Sequence, residues 1–470
     1  MWATSVLANG SRPDACVMGS GAGDFDPQHL QETAVSSRRG TLLTANVVML
    51  VGGVVGGTGG FAYHAIAARM LWPVAYGEVA SLIAVYTIAM TPTQVLTLIL
   101  AHDAATLTSK QDPGGVRLLV LSAGRSLILP CLAVIALGIM LAAPVAGFLR
   151  LGSPMPVVIL GIVVAATWLL AVPHGALQGI QRFTALSANL SSEMVVRSLS
   201  LVPILLTGFA VSGAMAALLA GALFSLCLGV GSLRGMPSPA AAPVYRPSIA
   251  GPWAAATAAT VGVLMLFNLD VILAKHYLAP SDAGIYAGLN KLGSVVYFLT
   301  LSVSQVMFPK VVAYGTAGGL QGRVLLQSMG VLCLLALLPM AAFAAAPSPV
   351  VRALFGPGFA SAVPLAPLAG LIGFGLSCVN LAVQFFVAVR DRWFIPLLVS
   401  GCALEVALIA VHHDGVAAIV RDVLVAIFTL LLLIVVRVGL LQQCRTVMKL
   451  SNHQGECDEQ VQEERVRSHL

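Results

Sequence analysis

The stretch ILAKHYLAPSDAGIYAGLNKLG, residues 272–293, decides the fold. Residues 66–82, IAARMLWPVAYGEVASL, carry the same pattern. With one residue of gap, Ala68, Arg69, Pro73, Gly77 and Ala80 fall on Ala274, Lys275, Pro280, Gly284 and Ala287, 206 positions on before the gap and 207 after it. A second pair of anchors, LQGIQRF at 177–183 and VAVRDRWF at 387–394, lies about 210 positions apart. Two anchors repeated at nearly one offset imply two copies of one structural unit.

Composition says what medium the units occupy. The 470 residues are 58% hydrophobic and 9% charged, with a mean hydropathy of +0.93. A soluble domain carries about 25% charged residues, so this chain cannot cover itself with a water-compatible surface. It reads as an all-α, polytopic membrane protein. A helix crossing the bilayer needs about 20 apolar residues. Reading between charges, prolines and glycine clusters places spans near 42–68, 78–101, 118–147, 155–176, 194–210, 212–233, 250–274, 284–307, 324–346, 363–388, 393–411 and 416–440. The fifth and sixth are divided at Gly208 and Ser212-Gly213.

The basic residues orient these twelve spans. With the N-terminus in the cytoplasm, eighteen of the 25 Lys and Arg fall in inner segments, Arg197 being counted among them. Four, Arg69, Arg150, Lys275 and Arg352, fall in outer loops, and Arg125, Lys291 and Arg421 fall inside spans. This is the asymmetry of the positive-inside rule. The net charge of +6 is therefore topology, and no nucleic-acid partner is expected. Each repeat holds six spans. Six is even, so both repeats start on the same side, and the expected architecture is two parallel six-helix lobes related by a pseudo-two-fold along the membrane normal. Parallel repeats of this kind are a transporter architecture, with the substrate at the interface of the halves.

The expected division is a disordered cytoplasmic segment at 1–40, an N-lobe at 41–233, a cytoplasmic linker at 234–249, a C-lobe at 250–443 and a polar cytoplasmic tail at 444–470. Residues 1–40 show no apolar core of a signal peptide, so no cleaved leader is expected. Whether they belong to the mature protein is left open. The linker, with Pro237, Pro239, Pro243 and Pro247, reads as a stiff tether. The eight cysteines form no CxxC pair and read as buried hydrophobes. The HHD at 412–414 reads as a solvated turn, three adjacent residues making a poor tetrahedral metal site. No HExxH, GxSxG or paired-aspartate motif appears, and the loops are short. The expectation is a transporter, not an enzyme, with no cofactor and no metal.

Four segments in order resemble the polysaccharide flippase branch of the multidrug/oligosaccharidyl-lipid/polysaccharide exporter superfamily. AARMLWPVAYGEVA resembles its first outer loop, Ala-Arg-x-Leu-Gly-Pro-x-x-Tyr-Gly, with Trp72 in place of the usual Gly. GALQGIQRF resembles the segment after its fourth helix. FNLDVILAKHYLAPSDAGIYAGLNKLG resembles its seventh-to-eighth helix signature, with Asn268, Asp270, Gly284, Tyr286, Ala287 and Lys291 in place. VMFPKV, at 306–311, resembles the Phe-Pro ending its eighth helix. The similarity covers roughly residues 41–445. It implies two lobes in a V, alternately open inward and outward. It also implies a polyprenyl-pyrophosphate-linked oligosaccharide as substrate, moved across a bacterial cytoplasmic membrane for surface polysaccharide synthesis. Partners would be that lipid-linked oligosaccharide, membrane lipid and other polysaccharide assembly proteins. Three other readings compete. One is a flippase for the cell-wall lipid precursor, whose branch usually has fourteen helices. Another is a cation-coupled multidrug antiporter, which needs buried carboxylates in the N-terminal half, where Glu78 and Glu193 read as helix ends. The last is a non-transporting scaffold of a glycan assembly complex.

An ionisable residue inside a membrane is costly and is a functional candidate by default. Arg125, Lys291 and Arg421 are expected to contact the pyrophosphate, since Arg and Lys suit phosphate oxygens. Asp270 and Glu405 are expected to titrate or to bind a coupling cation. The competing readings are a structural Asp270–Lys291 salt bridge, a solvated Arg421–Asp422 pair and an Arg125 that snorkels to the cytoplasm. VGGVVGGTGG, residues 51–60, sets Gly52/Gly56 and Gly53/Gly57 at GxxxG spacing. They serve either close helix packing or a gating bend, since Gly weakens a helix interior.

Overall fold

The computed structural model describes residues 27–236, 253–314 and 320–440, and the described residues contain helices and no strand. The first part of the expected leading segment, most of the linker and the polar tail lie outside them. Residues 27–40 are helical, not disordered: α1 spans Pro27–Ala89. A proline at the first helical position and the following Gln, Leu, Glu and Ala residues favour a helix there without apolar periodicity.

The order continues with α2 (Thr91–Ser109), α3 (Pro113–Met140), the short α4 (Ala142–Phe148), α5 (Met155–Gly179), α6 (Phe183–Leu206) and α7 (Ala210–Ser232). After the undescribed linker come α8 (Trp253–Tyr277), α9 (Pro280–Ala313), α10 (Leu320–Ala345), α11 (Pro347–Phe355), a 3-10 segment (Pro357–Leu365), α12 (Ala366–Ala388) and α13 (Phe394–Val411). The last helix, α14, is Val416–Leu440. Eleven segments are long and apolar enough to cross a membrane. The first of them contains a reversal at Trp72, where φ is 57° and ψ is 171°. The contacts prove the reversal. Gly52, Gly59 and Gly60 climb along Ser187, Met194 and Arg197 of α6. After the break the chain descends from Gly77 to Ala89, bonded to Trp168, and then to Leu100 and Ala101 beside Gly175 and Gly179 of α5. There are thus twelve passes among the described residues. The face bearing the basic loops, between α2 and α3, α5 and α6, and α12 and α13, is called here the basic face, and the opposite one the far face.

Both repeats pack alike. In the N-lobe (residues 27–236), the first arm of α1 packs on α6, α2 on α5, and α3 on α5. In the C-lobe (residues 253–440), the equivalent pairs are α8 on α13, α9 on α12, and α10 on α12. The second sequence anchor repeats in the backbone itself. Gln181 has φ 59° and Arg390 φ 60°. Arg182 N donates to Leu177 O, and Asp391 N donates to Phe386 O, closing the same left-handed helix cap. The division of passes 5 and 6 falls at Gly208, whose φ of 88° suits only glycine without strain.

One face of the VGGVVGGTGG run packs on α6. α1 is continuous through it. Ser187 Oγ donates to Val48 O at 2.9 Å, Ser191 Oγ to Gly52 O at 2.9 Å and Ser198 Oγ to Gly59 O at 2.6 Å. A side chain at Gly52 would overlap Ser187. A Cβ on Gly56 would stand 3.8 Å from Met194 and Ser191 of α6, an ordinary contact, whereas Gly53 and Gly57 face open space. Half of the expected GxxxG pairs therefore pack and half do not.

Trp72 occupies the position where the resembled pattern has Gly. Its φ and ψ fall in a region that costs a non-glycine residue on the order of 1–3 kcal/mol, and Pro73 after it demands the extended ψ. The indole lies against Gly358 and is 61% exposed, so little burial offsets the strain. Trp72→Gly is expected to hold or raise the melting temperature in detergent; a clear fall would show that the indole contact outweighs the strain.

Candidate functional site

The two repeat copies meet each other. On the far face, Gly77 and Gly284 cross so closely that a Cβ on Gly77 would stand 2.9 Å from Gly284 N, and a Cβ on Gly284 would overlap the carbonyl of Pro73. Tyr76 packs edge-on to Phe359 with centroids 5.6 Å apart. The equivalent cations of the two copies each reach across the seam: Arg69 donates to Ala353 O, and Lys275 Nζ pairs with Glu78 at 4.0 Å. His276 stacks on Phe148 at 4.2 Å and bonds its carbonyl oxygen. The far face is closed. Toward the basic face the lobes part. Gly53 and Gly57 have open space, Leu50, Val51 and Val54 are exposed, and a cavity is lined by α2, α3 and α5 on one side and α8 and α13 on the other.

At the apex of this gap stands a cluster of cations drawn from both lobes. Lys291 lies eleven residues into α9 from the far face, about 16 Å at 1.5 Å per residue. Its Nζ is 5.7 Å from the centre of the Phe267 ring. The described residues give it no carboxylate within ion-pair distance. Arg197 of the N-lobe is within electrostatic reach of it, and His64 is within reach of both. The Arg197 guanidinium lies 5.4 Å from the centre of the Tyr63 ring, and its buried Nε has no partner. Tyr76 Oη is 3.4 Å from His64 Nδ1.

Arg197 corrects the sequence reading, which placed it in an inner segment. It is fourteen residues into α6, a mid-membrane position, and Glu193 beside it is buried at 7% exposure, not at a helix end. The error came from the polar look of SANLSSE. Those serines bond to carbonyls of α1 and of their own helix, and satisfied hydroxyls cross a membrane readily. The expected cation trio is not assembled. Arg125 is exposed on α3, which packs on α5 and α2. Arg421 is 64% exposed near the far face and pairs with Asp422 at 3.3 Å, while His412 also approaches Asp422 at 3.6 Å. Of the three, only Lys291 lies at the apex.

The carboxylates lie on the C-lobe helices α8 and α13, with Asp270 within electrostatic reach of Lys291. Asp270 Oδ2 accepts from Tyr286 Oη at 2.6 Å and from Asn290 Nδ2 at 3.0 Å, and Oδ1 accepts from Val271 N at 2.8 Å. Asp270 is not ion-paired to Lys291; the aromatic face of Phe267 takes that ammonium. Glu405 is fully buried, and both its oxygens lack a partner. It acts electrostatically on Asp270 and Tyr286. Asn290 Oδ1 is buried and unpartnered too. Buried polar groups are normally paired, so the unpartnered oxygens of Glu405 and Asn290 are ones that a proton or a small cation would satisfy.

No family model matches the chain, and no curated protein does. Solved structures do. An inward-facing multidrug resistance MATE transporter of the MOP superfamily superposes with a TM-score of 0.66 at 14% identity, over 84% of this chain and 99% of that one. The fold is that of the MOP-superfamily transporters. The lipid II flippase MurJ, in an inward closed conformation, gives 0.62 at 11% identity over 84% of this chain and 87% of its own. The MATE multidrug transporter DinF-BH gives 0.62 at 10% identity over 85% and 95%. Within this MOP fold, the N-lobe supplies Arg197, His64 and Tyr63 to the apex. The C-lobe supplies Lys291 and, within electrostatic reach of it, Asp270, with Glu405 in turn acting on Asp270.

Proposed function

We propose that the protein is an alternating-access flippase for a polyprenyl-pyrophosphate-linked oligosaccharide in a bacterial cytoplasmic membrane. It would take the lipid from the basic, cytoplasmic face. The observation carrying this reading is the apex, where Arg197 and Lys291 approach from opposite lobes with no carboxylate in ion-pair distance of either among the described residues. Two cations facing one gap call for an anion of more than one charge, and a pyrophosphate bridging them would draw the lobes together. The sugar then lies in the wet gap while the lipid stays in the bilayer.

Asp270, Asn290 and Glu405 are assigned to coupling. A proton or monovalent cation entering from outside would satisfy the unpartnered oxygens and be released on the other side. Asp270→Asn with Glu405→Gln is expected to abolish the response of flipping to an imposed pH or sodium gradient while leaving equilibration without a gradient. Reconstituted vesicles with a fluorescent lipid-linked glycan measure both rates. An unchanged gradient response in the double variant removes these residues from coupling.

A deletion strain tests the function as a whole. Accumulation of one polyprenyl-linked glycan in the inner leaflet, with loss of its surface polymer, is the expected result. A cell-wall precursor accumulating there instead would assign the precursor flippase reading. Glu193, buried in the N-lobe, favours a second reading, a multidrug antiporter binding organic cations. An unchanged lipid pool with heightened sensitivity to cationic drugs would establish that one. A scaffold would leave both unchanged and would tolerate loss of the apex charges.

A further inference from the structure

Between Lys291 and the basic face, α9 keeps one side open. Its other sides pack on α12 and α10. There Gly293 meets Ala369 and Gly373, Thr300 Oγ1 donates to Ser377 Oγ at 2.7 Å, and Ser304 Oγ accepts from Asn380 Nδ2 at 3.2 Å. The open side carries Gly284, Lys291, Phe298, Ser302 and Gln305. Steps of seven, seven, four and three residues keep these on one side of a helix with 3.6 residues per turn. At Gly284 this side is pressed onto Pro73 of the N-lobe. From Phe298 on it is uncovered: the ring is 62% exposed, and Ser302 and Gln305 are exposed too. The side of α9 that seals the lobes beyond Lys291 is therefore the side that lines the gap below it.

Three observations say what this side meets. First, it is polar. Leu299 and Val306 are also exposed, but they lie about a quarter-turn round the helix. At matching depth the polar side chains share the Lys291 side and the apolar ones the next, as expected where one edge meets water and the other lipid. Second, its polar groups are unspent. Ser302 and Gln305 make no hydrogen bond among the described residues, whereas Ser294, Thr300 and Ser304 on the same helix are all engaged. Third, it is continuous with the anion site. The Phe298 ring is held in edge contacts 6.2 Å from Phe267 and 5.4 Å from Tyr297, and Phe267 is the ring that faces the Lys291 ammonium. Across the gap, Gly57 and Gly53 stand seven and eleven residues before His64 on the same side of α1, and a Cβ at either would meet nothing.

We propose that this side of α9 is a saccharide track: Phe298 stacks on the sugar next to the pyrophosphate, and Ser302 and Gln305 bond hydroxyls of the sugars beyond it. The inference rests on the flippase reading above and adds where the glycan lies. A pyranose ring has a face of C–H groups, which packs on the electron-rich face of an aromatic ring, and a rim of hydroxyls that donate and accept. Serine and glutamine side chains do both. Phe298 lies seven residues from Lys291, about 10 Å along the helix at 1.5 Å per residue, which leaves room for the diphosphate and the ring it carries. A phospholipid chain would leave the amide and hydroxyl unpaired. Stacking does not read which hydroxyls a sugar bears, so Phe298 accepts many hexoses, and discrimination falls to Ser302 and Gln305.

The test titrates the full chain in lipid nanodiscs with short-prenyl diphosphates bearing no sugar, a single N-acetylhexosamine or a trisaccharide. Affinity of the parent is expected to rise with the first sugar and again with the trisaccharide. Phe298→Ala should weaken both glycosylated probes about tenfold, the order of one well-packed contact residue, and leave the bare diphosphate unchanged; Phe298→Tyr, which keeps the ring, should bind as the parent does. Ser302→Ala with Gln305→Ala should remove only the trisaccharide increment. In a background without the native cysteines, a water-soluble thiol reagent should reach Gln305→Cys far faster than Val306→Cys, and the trisaccharide probe should protect the former. The reverse order of labelling would turn this side of α9 toward lipid and overturn the proposal. So would an equal loss on all three probes in F298A, which would make the ring a support for the Lys291 site. A parent that binds the bare and glycosylated diphosphates equally would overturn the track and leave the anion site standing. A parent that binds no diphosphate would overturn the flippase reading, and this inference with it.

Discussion

Replacing Arg197 or Lys291 with glutamine is expected to slow flipping about 10- to 100-fold for each residue, and to abolish it in the double variant. A hydrogen bond to a charged partner is worth about 1.5–3 kcal/mol, and each 1.4 kcal/mol is about tenfold. Arg125→Gln and Arg421→Gln should run close to the parent rate, since one lies on exposed α3 and the other pairs with Asp422 at the far face. Flipping in reconstituted vesicles gives the rates, and binding of a soluble diphosphate-sugar headgroup gives the affinity. Loss of binding in the R197Q and K291Q proteins, with unchanged size-exclusion profiles, places the anion at the apex. Parent-level binding in both would remove the cations from substrate recognition and with them the main support for an anionic lipid.

Gly284→Val should stop transport by a different route, leaving headgroup binding in place. Any side chain there meets the backbone of Pro73. Backbone cannot rotate away as a side-chain tip can, and overpacking of this kind costs about 1–3 kcal/mol. The substitution acts on the far-face seal, so the penalty falls on the inward-open state and shifts the population outward. Labels at Val74→Cys and Ala360→Cys, in a background without the native cysteines, should move apart. Gly124→Val, with nothing within 4 Å of its Cβ position, is the control and should behave as the parent. An unchanged distance in G284V with full transport would mean that the two repeat copies need not touch.

The repeat shows how far residue patterns reach. Both anchors were legible in the chain, as were the twelve passes and their alternation, because span length and charge asymmetry are imposed by the bilayer on the sequence itself. The purpose of the repeat was not legible. Gly77 and Gly284 read as matched positions of the repeat, and only the packed structure shows them crossing each other, with Arg69 and Lys275 reaching to opposite lobes.

The site was less legible than the fold. Lys291, Asp270 and Glu405 stood out because charge inside an apolar span is rare. Their partners did not: a salt bridge to Lys291 was the competing reading of Asp270, whereas Tyr286 and Asn290 hold it. Arg197 and His64 gave no signal. The serines around Arg197 disguised a mid-membrane turn as a loop. Arg125 and Arg421 looked equal to Lys291 because a helix apolar all round carries no record of which face meets its neighbour. The sequence by itself determined that this is a duplicated, twelve-pass membrane protein with its basic loops on one side, since hydropathy, charge and spacing are one-dimensional quantities. Only the tertiary structure decided which charges face the seam, because that depends on the rotation of each helix about its axis, and in a nearly uniform apolar helix only contacts with other helices set that rotation.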